Sequence, residues 1–348
     1  MRVDNTSIAI SKTTEAAFNT PETDDPNFVD LPTTEPFFIL PKLEKVSNAV
    51  RIGRNAPTHL CNTYWTHSEI TIKDDIETGV PAMLSRRAVG GTDNKTTVAA
   101  GVYDHEVAIL PPAIGDILPS FNIAAILGAA DYLLAGLMVD KVKFSQKGAD
   151  RAQYEANILG SGKFSNPAQI EMPSQTDTEC MDGYKTVVKY TDVNASVINL
   201  TSLGTVIEWM IEHDNKIRRN KRRQGDPVIA VGTGKGAHVR SQPRGKYETK
   251  GSLTLDFNDL TYWTKSVKNE KLTNLKFTVQ GPLIANVGGI DYFHEFEIIV
   301  PSFGFDSPDT GDDEGDAATP INIVPFEDPI TKGTFKLRVR NGSNSLLV

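Results

Sequence analysis

The residues with the best claim to chemistry stand early in the chain, where His59, Cys61, His67 and Glu69 lie close together. His67-Ser68-Glu69 spells the first half of a zinc deaminase signature, in which the histidine ligates the metal and the glutamate moves the proton. The second half, Pro-Cys-x-x-Cys, has no counterpart, because Cys180 is the only other cysteine in the chain. A histidine satisfied within a strand is the reading that remains. Val231-Gly232-Thr233-Gly234-Lys235-Gly236 has the composition of a phosphate-cradling loop. The Walker form needs a longer gap before its Gly-Lys pair and a hydroxyl residue after it, whereas Gly236 and Ala237 follow here, so a surface loop is expected. Asp104-His105-Glu106 has no nucleophile partner in sequence, and no Gly-x-Ser-x-Gly elbow occurs. No catalytic, cofactor-binding or metal-ligating residue is therefore nominated, and the expectation is a protein that is not an enzyme.

Charge is a stronger signal. Lys216, Arg218, Arg219, Lys221, Arg222 and Arg223 make a basic octamer, and removing its six charges from the -8 total leaves the rest of the chain at -14. Segregation of this kind asks for a partner. One partner is nucleic acid. The favoured one is an acidic surface of an identical neighbour, since the chain carries two such surfaces itself. The first is residues 1–36, with seven acids against Arg2 and Lys12. The second is residues 306–316, DSPDTGDDEGD, which include Asp309, Asp312, Asp313 and Glu314. Opposite tracts in one chain suit head-to-tail stacking, a heterologous contact that repeats without closing.

Composition bounds the classes. Thirty-six basic against 44 acidic residues disfavour a chain that coats DNA or binds anionic membranes. Two distant cysteines argue against a disulfide framework and for reduced, cytoplasmic folding. The N-terminus has no apolar signal region, and no apolar stretch reaches membrane-spanning length, so no membrane anchor is expected.

The elements that must position these tracts are mostly strands. Period-two alternation of β-branched and aromatic residues marks Phe37–Leu43, Tyr64–Ile72, Val102–Leu110, Phe121–Leu127, Leu133–Phe144 and Tyr154–Leu159. A second set covers Tyr184–Tyr190, Val197–Leu200, Thr205–Ile211, Lys246–Phe257, Leu275–Gln280, Tyr292–Val300 and Thr334–Val339. Two short helices are expected, Glu77–Val89 with Pro81 in its first turn and Asn258–Val267. Residues 1–36, broken by Pro21, Pro26, Pro32 and Pro36, read as an extended arm ordered only by a partner. On that reading, deleting residues 1–30 leaves a folded protein that no longer polymerises. Residues 306–316 read as a solvated loop before the last strand.

Tyr64-Trp65-Thr66-His67-Ser68-Glu69-Ile70-Thr71-Ile72 is echoed by Tyr247-Glu248-Thr249-Lys250-Gly251-Ser252-Leu253-Thr254-Leu255, and each copy runs on into an expected helix. Two similar modules follow as one reading, residues 37–165 and 184–345 joined by a linker over 166–183. The other is the general likeness of Thr-rich strands.

The order of features resembles a known family. An acidic arm, a strand and helix (TYWTHSEITIKDDIETGVPAMLSRRAVGG), long hairpins and a basic loop precede GKYETKGSLTLDF, LTNLKFTVQGPLI and YFHEFEIIVPSFGF. This is similar to the major tail tube proteins of long-tailed, siphovirus-type bacteriophages, with Ile298-Ile299-Val300-Pro301 standing where that family ends a strand at a proline. The resemblance spans about residues 37–340. It implies a mainly β fold: a β-sandwich with one or two short flanking helices, in one copy or duplicated within the chain, whose strands close into an inter-subunit β-barrel. It also implies stacked rings in the virion tail, assembled in the host cytoplasm, around double-stranded DNA that passes without specific binding. Two modules per chain would make a ring of three chains, and one module a ring of six. The partners implied are other copies of the chain and other tail proteins. Alternatives are a terminator or baseplate hub of the same fold, or a carbohydrate-binding sandwich. The last would need exposed aromatics, and Trp65, Trp209 and Trp263 read as core or interface instead.

Overall fold

The structure, a computed structural model, describes residues 7–18, 20–22, 24, 27–31, 42–47, 60–109, 118–126, 131–165, 173, 181–200, 206–218, 227–228, 236–238, 242, 244–256, 270–306, 311–313, 316–328 and 333–346. The first half holds β1 (Ser7–Ser11), β2 (Phe28–Asp30), β3 (Lys42–Ser47), β4 (Leu60–Asp75), α1 (Val80–Val89), β5 (Asp93–Ala99), β6 (Val102–Ala108), β7 (Phe121–Ile126), β8 (Asp131–Lys147) and β9 (Gln153–Ser165). The second holds β10 (Asp182–Thr191), β11 (Val197–Asn199), β12 (Val206–Asp214), β13 (Pro227–Val228), β14 (Gly236–His238), β15 (Glu248–Asp256), β16 (Leu272–Val287), β17 (Ile290–Phe305), β18 (Gly311–Asp313), β19 (Asp316–Pro325) and β20 (Lys336–Asn341).

The chain is thus mainly β, with one helix among the described residues. Its strands form one large sheet that is antiparallel except where β14 runs parallel to β4, and that does not close on itself. The main run is β4-β9-β8-β12-β15-β19-β17. It continues from one edge of β17 into β16-β10-β11 and from the other into β20-β6-β5. Among the described residues, pairing crosses between the two halves of the chain three times, at β8–β12, at β6–β20 and at β4–β14. Each echo strand leads to a hairpin: β4 through α1 into β5–β6, and β15 into β16–β17. The helix expected over 258–267 lies outside the described residues, as does most of the linker over 166–183.

Alternation along the strands decides which side chains meet. On β8, Val142 and Phe144 are fully buried, and on β17 so are Phe296, Ile298 and Val300. The Phe144 ring lies 5.5 Å from Phe296 and stacks at 6.2 Å on Phe335, and Trp209 of β12 lies 4.8 Å from Phe277 of β16. The buried indole donates Nε1–H to Gln146 Oε1 at 2.9 Å, which removes the orphan donor that a core tryptophan would otherwise carry. The face of β8 and β12 therefore packs on that of β16 and β17.

Helix α1 has Pro81 in its first turn, where a missing N–H costs no helical bond, and it stops at Gly90. Gly90 adopts φ 71°, and its N–H donates to the Arg86 carbonyl at 2.9 Å. Gly91 then passes so close to β6 that a Cβ would sit 1.9 Å from the Ala108 carbonyl oxygen. Nearly all of α1 is buried, so it acts as a wedge against the sheet.

Three expectations are corrected. The described part of the N-terminal segment does not wait for a partner. β1 pairs with both β2 and β7, and Ala9, Ile10 and Ser11 are fully buried. Deleting residues 1–30 would strip β7 of β1, leaving it paired with β8 alone, and would remove Ile10 from the core. The segment 306–316 is not all loop, since Gly311–Asp313 pairs with the first residues of β19. Finally, the strand that begins before Ile298 does not end at Pro301 but continues to Phe305. In this register Pro301 stands opposite Asn274, which takes a left-handed φ of 52°.

Candidate assembly surface

Glycine chemistry sets the geometry of the longest hairpin. Val287 pairs with Ile290 across Gly288 and Gly289, whose φ values of 64° and 84° are the left-handed pair that a two-residue turn requires. Sixteen residues lead in and sixteen lead out. The inner half is held on both edges: Gln280 is the last residue of β16 opposite β10, and Glu295 the first of β17 opposite β20. From Gly281 to His294 the hairpin pairs only with itself among the described residues. Register shifts on either side of Leu283 bend it as it leaves the sheet.

This two-stranded finger carries apolar side chains into solvent, with Leu283 50% and Ile290 59% exposed. An isolated hairpin is marginal in water, and exposed apolar strand surface invites pairing with another chain. A second open surface lies at β5, which pairs only with β6 among the described residues and shows exposed side chains along its length. A third is the β10–β11 tip, where Val193 and Val197 are exposed.

Behind the finger, ionic rows lock β6, β20 and β17 together. Register places Asp104, Arg340 and Glu295 in one row and Glu106, Arg338 and Glu297 in the next. Arg340 Nε lies 2.7 Å from Asp104, and its Nη1 lies 3.1 Å from Glu295. Arg338 Nε lies 2.8 Å from Glu297 and its Nη2 3.1 Å from Glu295. Burial raises the Glu295 carboxyl above its ordinary range, while Arg340 and Arg338 pull it back. The bond to Asp104 holds the Arg340 guanidinium up. Arg338 Nη1 also lies 3.4 Å from Asp104, so each arginine bridges acids on both neighbouring strands.

The residues singled out by type are dispersed. His67 is buried and Glu69 exposed on β4, the side chain of Cys61 and all of His59 lie outside the described residues, and Ala237 and Gly236 belong to β14. Among the described residues no group of three or more His, Cys, Asp or Glu side chains could hold a metal ion. His105 is fully buried, with Nδ1 2.8 Å from Asp93 and Nε2 3.1 Å from the Ser343 carbonyl, so it ties the β5–β6 hairpin to the C-terminal turn. Of the basic octamer, Lys216 is engaged within the chain by Glu248, and Arg218 is exposed. Arg219, Lys221, Arg222 and Arg223 lie outside the described residues, as do Asp309 and Glu314. Asp312 and Asp313 stand on β18.

Sequence reasoning missed two other features. The first is a buried polar chain around His213, whose Nδ1 lies 3.0 Å from Thr249 Oγ1 and whose Nε2 lies 3.3 Å from Asn215 Oδ1. Asn215 donates in turn to the carbonyls of Ala88 and Val139 at 2.7 and 3.2 Å, pinning the end of β12 to α1 and β8. Burial, and then the Arg244 charge, pull His213 down to about 3 against the Asn215 bond. The second is a cavity of about 440 Å³ beside the end of α1, with Lys12, Arg86 and Arg87 in its wall. No helix among the described residues is long and apolar enough to cross a membrane. Compared with protein-family models and with curated proteins, the chain matches none.

Proposed function

We propose that this chain is a structural virion protein, the tail tube subunit of a long-tailed bacteriophage. On this reading the packed faces of β8–β12 and β16–β17 are the two layers of a β-sandwich. The Gly281–His294 finger and the open edge at β5 meet their counterparts on neighbouring copies and close a barrel between subunits. Rings of three two-module chains, or of six, then stack into a tube in the host cytoplasm and join the other tail proteins. The single observation that carries the reading is the unclosed sheet with a bare, apolar-tipped hairpin. Alone it is an aggregation hazard, and ring closure removes the hazard.

The acidic balance supports the same conclusion. A conduit for double-stranded DNA needs walls that repel phosphate, and a net charge of -8 disfavours the counterion-release binding that would make DNA stick. A carbohydrate-binding module gains no support from Trp209, which is 2% exposed and packed in the core. The reading involves no cofactor, metal or catalysis.

Negative-stain electron microscopy of the purified, concentrated protein at moderate salt tests it. Hollow tubes of uniform diameter are expected. Single rings that never stack would reassign the chain to a terminator or hub of the same fold, and a persistent monomer would favour a binding module.

A further inference from the structure

The cavity at the end of α1 is built around a cation. Arg87 is 3% exposed, and its Nη2 donates to the carbonyls of Ser11, Lys12 and Thr13 at 2.5, 3.1 and 3.4 Å. Its guanidinium lies 4.5 Å over the Phe121 ring. The other terminal nitrogen, Nη1, is buried and has no hydrogen-bond partner, and Arg87 lines the cavity together with Lys12, Arg86, Thr13, Thr14 and Thr92. A buried guanidinium with a spare donor is costly unless something accepts from it. Burial, and then the neighbouring Arg86, pull Arg87 down to about 9, with Tyr154 and Glu15 opposing, so it remains charged at neutral pH. Three cations and three hydroxyl side chains around one cavity have the chemistry to hold an oxyanion, and planar Arg forks favour carboxylates.

We propose that this cavity receives a carboxylate side chain from the acidic segment Asp306–Asp316 of a second copy of the chain. The occupant is argued from charge and placement. The segment concentrates six acids in a chain whose total is -8, and it is tied to β19 through β18 and through the Asp306 N–H bond to Asn322. The cavity belongs to α1 and to the chain just after β1. One copy therefore presents the acid on one set of elements and the receptor on another, which is the arrangement of a repeating head-to-tail contact. The inference rests on the self-assembly reading and names the contact that would stack its rings.

The test uses full-length protein and a synthetic peptide of residues 305–317, with binding read by fluorescence anisotropy at concentrations below assembly. The wild-type chain is expected to bind the peptide, and Lys12→Glu with Arg86→Glu is expected to weaken it at least ~10-fold. A peptide carrying Asp312→Lys and Asp313→Lys should recover affinity for that double variant. If the charge reversal fails to fold, Lys12→Gln with Arg86→Gln serves in its place. Equal binding by both proteins, no binding at all, or inorganic phosphate competing as tightly as the peptide would overturn the proposal. Microscopy of the same proteins separates the two claims. Wild-type tubes with equally normal tubes from the double variant would sink the docking contact and leave the tube reading standing. Site-specific peptide binding by a wild-type chain that never assembles would do the reverse.

Discussion

The two halves of the β16–β17 hairpin are one pair of strands with two surroundings. In the inner half, Phe277 and Phe296 are fully buried between Trp209, Phe144 and their neighbours, and β10 and β20 cover both edges. In the outer half, the same strands carry Leu283 and Ile290 into solvent with no further strand beside them among the described residues. The outer half also holds Gly281 and Pro282, which strands disfavour, so the difference lies both in residue type and in what covers the edges and faces. The inner half stabilises the fold. The outer half adds little to the monomer and is available for another chain.

The contrast can be pressed by substitution, and the largest effect belongs to the packed half. Phe296→Ala removes a ring that touches Phe144, and about 3–5 kcal/mol of unfolding free energy should disappear in urea titrations. A loss under ~1 kcal/mol would mean that the two faces are not packed as described.

The ionic rows rank next. Arg340→Met removes the closer of the two bridges between Asp104 and Glu295 and leaves Arg338 to hold both acids. These side chains are partly exposed, so the expected cost is about 1–3 kcal/mol, reduced by added salt. A salt-insensitive variant would show that the rows contribute packing and not charge.

His213 gives a pH signature of the inner region. Its imidazole stays neutral in the folded chain down to about pH 3, whereas the unfolded chain takes up a proton below its ordinary value of 6.5. Between those limits the unfolded state binds more protons, so stability is lost as pH falls, at up to ~1.4 kcal/mol per pH unit. From pH 6.5 to pH 4.5, His213→Gln should lose about 2–3 kcal/mol less than the wild type. Parallel losses in the two proteins would refute the assignment.

The smallest stability effect, and the sharpest functional one, is expected at the finger. Leu283→Ser with Ile290→Ser should lower the unfolding free energy by no more than about 1 kcal/mol, because half or more of each residue is already exposed to water. The same pair should abolish assembly in sedimentation. Normal assembly by the pair would move the subunit contact elsewhere.

Alternation made much of the core legible beforehand. Glu295-Phe296-Glu297-Ile298 alternates as a strand and is one, although from Phe296 to Phe305 both of its faces are buried, Glu297 included. Pro81 likewise marked the first turn of the only helix among the described residues, which ends at Val89 as expected. β1 was hidden because Ser-Ile-Ala-Ile-Ser is too short to stand out among acids and prolines, and its burial depends on β7, more than a hundred residues later. β5 carries only Val98 and Ala99 as apolar residues, since an edge strand with exposed side chains needs few, and so it gave no periodic signal. The ionic rows appear only once register brings Asp104 beside Arg340. The cavity joins Lys12 to Arg87 across most of the first hundred residues. Contacts of that sequence separation leave no local pattern to read.

Amide hydrogen exchange over residues 281–294, followed before and after the protein is brought to assembly, tests the central claim most directly. The account predicts fast exchange at the outward-facing amides of the free chain and strong protection once tubes form, as neighbouring copies complete the hydrogen bonding. Tubes whose finger amides exchange as fast as those of the monomer would contradict it.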